Sequence, residues 1–185
     1  MSTQKQASPT KVVTGKVRLS YCHIWEPSAM EGSDNKKYSV SIIIDKEDKD
    51  TIAAVEAAVK AATEQGKAQK FGGKVPANLK LPLRDGDKER PDDEAYKGKM
   101  FMSASSKTKP GIVDRKGQPI LDETEVYSGC YGRASLNFYP FNAAGSKGVA
   151  CGLNHIQKLE DGEALGGRGS ASEDFGVVED DDMLS

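Results

Sequence analysis

The sequence predicts a mainly β fold, a small barrel of five or six strands with one helix and long loops. Several separate stretches alternate apolar with polar residues, and only one stretch carries apolar residues at three- and four-residue spacing. Antiparallel strands in that number must close on themselves or cover an edge. An OB-fold-like barrel or a compact sandwich meets that demand.

Residues 1–10 are polar and lack large apolar groups, which reads as a disordered leader. From Val12 to His23 one strand is predicted, with Val13, Val17, Leu19 and Tyr21 on one parity and Thr14, Lys16, Arg18 and Ser20 on the other. Lys37–Ile44 repeats the pattern, Tyr38, Val40, Ile42 and Ile44 facing one way, with the β-branched content a strand favours. A helix is predicted over Lys46–Gln65, where Ile52, Val55, Val59 and Ala62 form a stripe, Asp45 supplies the N-cap and Gly66 the stop. That narrow stripe suits a helix lying against a sheet or closing one end of a barrel. Lys67–Lys97 contains three prolines and reads as one long loop. Strands resume at Lys99–Lys107, with Met100, Met102 and Ala104 opposite Lys99, Phe101 and Lys107, and at the short run Ile112–Val113. In Val126–Asn142 the even positions Val126, Cys130, Ala134, Leu136 and Phe138 face inward, and the odd positions are Tyr127, Tyr131, Arg133, Asn137 and Tyr139. A last strand, Gly148–Lys158, turns Val149, Cys151 and Leu153 inward. After Asp161 the composition turns to Gly, Ser and acid, so the predicted organisation is a domain over 11–165 and a disordered acidic tail over 166–185.

No run approaches the roughly 18 to 20 apolar residues of a spanning helix, and the mean hydropathy is -0.58, so no membrane partner is expected. Cys22, Cys130 and Cys151 are an odd, widely spaced set, which favours reduced thiols in an intracellular protein over a disulfide framework. The 26 Lys and Arg and 28 Asp and Glu give a net charge of -2, but six of the acids and none of the bases fall in 173–185. The body is therefore mildly basic and carries an anionic tail, with Lys5, Lys11, Lys16 and Arg18 and no carboxylate in the first 18 residues.

Five of the 12 aromatic residues lie between Tyr127 and Phe141. Tyr127, Tyr131 and Tyr139 share their parity with Arg133, where a merely solvated face would carry polar groups. Rings beside cations on an open strand suit single-stranded nucleic acid, because each unpaired base offers a flat π-face and stacking is worth about 1–3 kcal/mol per base. Phe101 with Lys99 and Lys107 repeats the pattern, and Lys16, Arg18 and Lys37 add charge for phosphates. The competing explanation, that these rings pack beneath a loop or helix, stays open on the residues alone. In the tail, Glu179, Asp180, Asp181 and Asp182 precede Met183 and Leu184. Such a segment mimics phosphate, competes for a cationic groove and offers an apolar tip to protein partners; aiding solubility is the plainer role.

Enzymatic chemistry finds less support. Asp85, Asp87, Asp92, Asp93 and Glu94 are rich in oxygen, as a Mg²⁺-dependent nuclease or resolvase would require, but their spacing fits no metal motif. The cysteines and histidines include no CxxC pair. No catalytic residue, metal or cofactor is expected. A protein-interaction module without DNA binding is the other alternative.

The stretches LPLRDGDKERPDDEAYKG, MFMSASSKTKPGIVD, VYSGCYGRASLNFYPFN and KGVACGLNHIQKLEDGEALGG resemble a family of phage single-stranded-DNA-binding proteins, over nearly all of residues 10–168. The resemblance implies an OB-fold that coats single-stranded DNA during phage replication, recombination and repair in the host cytoplasm. It implies no catalytic residues. From the tail's own charge, its removal is expected to extend binding to duplex DNA, and replication or recombination proteins are the expected partners of its apolar tip. A homodimer is left open. EDDDMLS also resembles the acidic tip of bacterial single-stranded-DNA-binding proteins but lacks their terminal Phe, which bears on docking to a Phe-reading pocket.

Overall fold

Alternation places the strands, and backbone chemistry sets where they break. The computed structural model describes residues 9–29, 36–143 and 145–165, so most of the predicted leader and all of the predicted tail lie outside the described residues. Strand β1 (Lys11–Val13) is followed by β2 (Val17–Ser28), where a single strand was expected. The interruption comes from Thr14. Its N–H donates to the Ala134 carbonyl at 3.0 Å and its hydroxyl accepts from the Ala134 N–H at 3.0 Å, before the chain turns at Gly15.

Five strands form a closed circuit. β2 pairs antiparallel with β3 (Lys37–Asp45), and β3 pairs with β5 (Lys99–Ser106). β5 meets β8 (Ser146–Glu160) in parallel at one register pair, Ser105 with Gly152. β8 pairs along its length with β7 (Tyr131–Ala143), which returns to β2. Three short strands extend it: β1 on β7, β4 (Arg84–Asp85) on β5 and β6 (Gly111–Val113) on β8. The core inside the circuit holds Leu19, Ile24, Ile42, Ile44, Met102, Leu136, Phe138 and Ile156, all buried.

Helix α1 (Lys49–Gln69) packs on β7, β1 and β8 and adds Val55, Ala58 and Ala62 to that core. It begins three residues later than predicted because Asp48, not Asp45, accepts from the Thr51 N–H. The Thr51 hydroxyl in turn accepts from the Gly15 N–H at 3.0 Å, tying the helix start to the β1–β2 turn. Gly66 does not stop the helix. It lies within it, buried, where a Cβ would sit 2.3 Å from the Phe71 ring.

The stretch expected as one loop contains β4, one helical turn α2 (Gly86–Glu89) and a 3₁₀ turn at Glu94–Tyr96. Lys46 fixes it. Its ammonium lies 2.8 Å from Asp85 and 2.7 Å from Asp87, and Asp87 also accepts from the Gly98 N–H at 3.0 Å. The hydrogen bonds from Lys46 hold both carboxyls below the usual carboxylate range. Asp93 caps the 3₁₀ turn through the Ala95 N–H. These carboxylates therefore serve the loop's own structure.

Because alanine is favoured over glycine inside a helix by about 1 kcal/mol, Gly66→Ala separates propensity from packing. Chemical denaturation is expected to show lower stability, since the Phe71 ring must move. A gain would mean the ring is free to swing aside.

Candidate nucleic-acid interface

Between Ser20 and His23, β2 carries one residue more than its partner, the first of two register shifts along the pair. Ser20 faces Ser41 on β3, yet the next register pair is His23 with Ser39, and between them Tyr21 has φ 47°. This is a β-bulge with a non-glycine residue in the left-handed region, rare for a bulky side chain. The extra residue reverses the strand's parity. Val17 and Leu19 face the core before it, Ile24 after it, and the Tyr21 ring, which shares the sequence parity of Val17 and Leu19, stands 51 % exposed.

Beside Tyr21 the outer face of β3 and β5 is floored by small hydroxyl side chains, Ser41 opposite Ser103 and Ser39 opposite Ser105. Their strand neighbours Val40, Ile42, Met102 and Ala104 fill the core, so the pleat turns the serines away from it. Next in register, Ile43 and Phe101 support Tyr96, whose ring meets Phe101 edge-on at 5.0 Å. The Arg90 guanidinium lies 5.1 Å from the Tyr96 ring centre, 5.3 Å from Phe101 and 6.0 Å from Tyr21. Among the described residues Arg90 forms no ion pair, so its charge remains unneutralised. One depression beside it is lined by Lys80, Arg84, Arg90, Phe101, Phe141 and the Ser103 and Ser105 floor. A second is lined by Tyr21, His23, Tyr96, Tyr127 and Leu165. The combination offers one open ring, guanidinium and ammonium groups for phosphates, and hydroxyls that act as donor or acceptor towards any base edge.

The residues expected from sequence divide among several places. Tyr131 and Arg133 alternate on the outside of β7, but Tyr131 is half-buried, with the Lys16 ammonium 5.1 Å and the Arg18 guanidinium 5.5 Å from its ring centre. Lys16 pairs with Glu160, and Arg18 donates to the carbonyls of Gly129 at 3.1 Å and Glu163 at 2.6 Å. Arg133 donates to the Thr14 carbonyl at 3.1 Å. Tyr127 precedes β7 and is half-buried; its hydroxyl accepts from the Gly162 N–H at 3.1 Å. Tyr139 is exposed on β7 but eight residues from Tyr131, about 26 Å along an extended strand. The quartet does not form one wall.

Phe101, expected on the open face, is 5 % exposed because Arg90 and Tyr96 cover it. Lys99 pairs with Asp45 at 3.1 Å, Lys37 starts β3 opposite Ser28, and Lys107 is exposed just beyond β5. Glu179, Asp180, Asp181, Asp182, Met183 and Leu184 lie outside the described residues. Tyr21, Arg90, Lys80 and Arg84, which line the two depressions, were not among the residues expected from sequence. A signal existed for Tyr21: apolar residues at 17 and 19 and then at 22 and 24 require a parity change between them.

Residues 161–165 form a strap from the end of β8 to this site. Gly129 has φ 117°, and a Cβ there would lie 2.1 Å from the Glu163 carbonyl, so only glycine admits the strap. The Leu165 N–H donates to the Ser128 carbonyl at 2.8 Å, and its side chain packs against the Ile43, Tyr96 and Phe101 cluster.

A closed five-strand barrel with a ring-and-cation groove across one face is the class of small oligonucleotide-binding barrels. The model of a family described as "Enterobacter phage Enc34, ssDNA-binding protein" matches residues 10–184, and the chain belongs to that family. It is 31 % identical to "Putative protein p50" of Acyrthosiphon pisum secondary endosymbiont phage 1, over 95 % of this chain and 99 % of that protein. Among solved structures it is similar to the single-stranded DNA-binding protein from bacteriophage Enc34 in complex with ssDNA, with a TM-score of 0.75 and 23 % identity over 85 % of this chain and 90 % of the other. It is also similar to gp2.5, a single-stranded DNA-binding protein of bacteriophage T7, with a TM-score of 0.56 and 17 % identity over 86 % and 97 %. At these identities the likenesses show a shared fold.

Cys22, on the wall of the second depression, tests the packing behind the bulge. Burial pushes its thiol up to about 12, and burial raises Cys130 and Cys151 as well. Alkylation follows the thiolate. At pH 8 iodoacetamide should label the native protein slowly and the denatured protein fast; rapid native labelling at Cys22 by mass spectrometry would show an open bulge.

Proposed function

We propose that the protein binds single-stranded DNA without marked sequence specificity, through the face built by β2, β3 and β5. The observation that carries this is the unpaired Arg90 guanidinium set among three rings beside the exposed Tyr21 and a hydroxyl floor. A base stacks on Tyr21, Arg90 turns from the rings to a phosphate, and Lys80 extends the cationic edge, with Arg84 beside it paired to Glu89 at 3.7 Å. None of these groups reads base identity. Phe101 supports Tyr96 and Arg90 from below, and the cluster of Lys16, Arg18, Tyr131 and Tyr127 holds the strap. Family membership and the fold shared with a protein solved on ssDNA support the same reading.

Binding that prefers unpaired strands shifts duplex melting towards them, so protection and removal of hairpins follow by mass action. We place this activity in phage DNA replication, recombination and repair, in the cytoplasm of the bacterial host. The protein acts as a ligand of DNA rather than an enzyme; Asp85, Asp87 and Asp93, the carboxylates a nuclease would need, are engaged in pinning and capping the 84–97 loop. The acidic tail competes with DNA for the groove and recruits replication or recombination proteins through Met183 and Leu184. The strap supports the competition, because it brings the chain at Leu165 to the groove's own wall.

Affinity resting on phosphate neutralisation should give log K falling with log salt at about -0.7 per phosphate contacted. A salt-independent affinity for oligo-dT contradicts the groove. Replacement of Tyr21 by Ala should weaken oligo-dT binding by about 1–3 kcal/mol. Tyr21→Gly should weaken it equally while leaving the thermal midpoint unchanged or raised, since glycine relieves a left-handed backbone worth about 1 kcal/mol or more. Affinity retained in both variants would remove the ring from the interface. Deleting 173–185 takes away six negative charges and should tighten DNA binding and extend it to duplex, as electrophoretic mobility would show; unchanged or weaker affinity argues against competition.

A further inference from the structure

A third depression lies where the barrel is held by least. β5 and β8 share only the Ser105–Gly152 register pair. Beyond it, the N-terminal strand, the β5–β6 connection, β7 and β8 bring Lys11, Thr108, Lys109, Ser135, Asn154 and His155 to one pocket. The lining contains two lysines, an imidazole, hydroxyls and an amide, and no carboxylate. Among the described residues neither Lys11 nor Lys109 forms an ion pair. The His155 Nδ1 accepts from the Gly111 N–H at 3.1 Å, so in the neutral ring the proton resides on Nε2 and the imidazole keeps a free donor. The Lys109 ammonium lies 5.6 Å from the ring centre of Trp25, the protein's one tryptophan.

Donors of several kinds without an acceptor carboxylate are what a phosphate requires. Position favours a phosphate of the same strand that occupies the groove. Ser105 and Cys151 line the Arg84 and Arg90 depression, whereas Ser106 and Leu153 line this one. The two therefore draw on neighbouring positions along the β5–β8 seam. We propose that this pocket is a second phosphate subsite, which takes the backbone of single-stranded DNA after it leaves the aromatic groove. The inference rests on the single-strand reading above and lengthens the bound strand beyond what the groove alone holds.

Full-length protein is titrated with oligo-dT of about eight and about 20 nucleotides, the first within and the second beyond the roughly 4–16 nucleotides an OB fold occupies. In the double variant Lys11→Gln, Lys109→Gln the salt slope on the longer oligomer should be shallower by about 1.4, two contacts at about 0.7 each. Affinity and slope on the shorter one should match the unaltered protein. In the unaltered protein, Trp25 emission should respond to the longer oligomer and not to the shorter. Both lysines are exposed on the surface, and an unchanged thermal midpoint confirms that the variant folds. Identical slopes for variant and parent on the longer oligomer, or the same Trp25 response to both lengths, overturn the subsite and leave the groove standing. If the parent protein binds neither oligomer, the single-strand reading itself fails.

Discussion

The extra residue in β2 is the constraint on which the barrel and its face both depend. β2 must pair with β7 at Val17 and Arg18 and with β3 along most of its length, so it has to bend, and a bulge bends a strand. It must also turn Leu19 and Ile24 inward although they are five positions apart, which strict alternation forbids. Burying one such side chain is worth about 1.5–3 kcal/mol, and a non-glycine residue in the left-handed region costs about 1–3 kcal/mol. The core on both sides of Tyr21 therefore outweighs the strain at it. The ring is turned outward by the demands of the interior, which gives the face a rigid aromatic platform on a strand rather than on a loop.

Charge is sorted by partner rather than by amount. Lys16, Arg18, Lys46 and Lys99 are engaged with carboxylates or carbonyls and add structure. Exposed pairs of this kind contribute little stability singly, about 0–1 kcal/mol, but Lys46 with two aspartates pins one loop to the end of β3 and fixes where Arg90 stands. Arg90, Lys11 and Lys109 have rings or open space in place of carboxylates. On the proposed reading a polyanion meets these first, because no ion pair has to break before they turn to it.

Much of the fold was legible because period-two alternation survives wherever a strand has one buried face. β3, β5, β7 and β8 fall within a few residues of their sequence boundaries, and the inward set Ala134, Leu136 and Phe138 is buried. What was not legible depends on contacts distant in sequence. Asp48 takes the N-cap from Asp45 because Thr51 is tied to Gly15, and Gly66 stays inside α1 because Phe71 folds back on it. Less of the interface was legible. Aromatic density pointed to Tyr131 and Tyr127, but density does not tell an open ring from one covered by cations and a strap, and Phe101 likewise lies on the outer face of β5 but is covered. Arg90 stands in a stretch with no periodicity to place it, and the Lys46 bridges, the pairing of β4 with β5 and the Asp87–Gly98 bond bring it over β5.

The covered tyrosines give the strap a physical role. Arg18 holds the Glu163 carbonyl, Tyr127 holds Gly162, and the glycine at 129 lets the chain pass close enough for both bonds. Leu165 is delivered to the apolar cluster under Arg90. A segment of five residues without its own secondary structure would ordinarily gain too little to offset its ordering, about 1–2 kcal/mol per residue. Here backbone bonds to Arg18, Tyr127 and Ser128 together with burial of Leu165 supply the difference. Anchoring at that point shortens the tether between the groove and any anionic residue beyond it, and a shorter tether raises effective concentration at the groove. On the proposed reading, the ring-and-cation cluster that dominates the sequence acts on DNA at one remove, by setting where the competing chain begins.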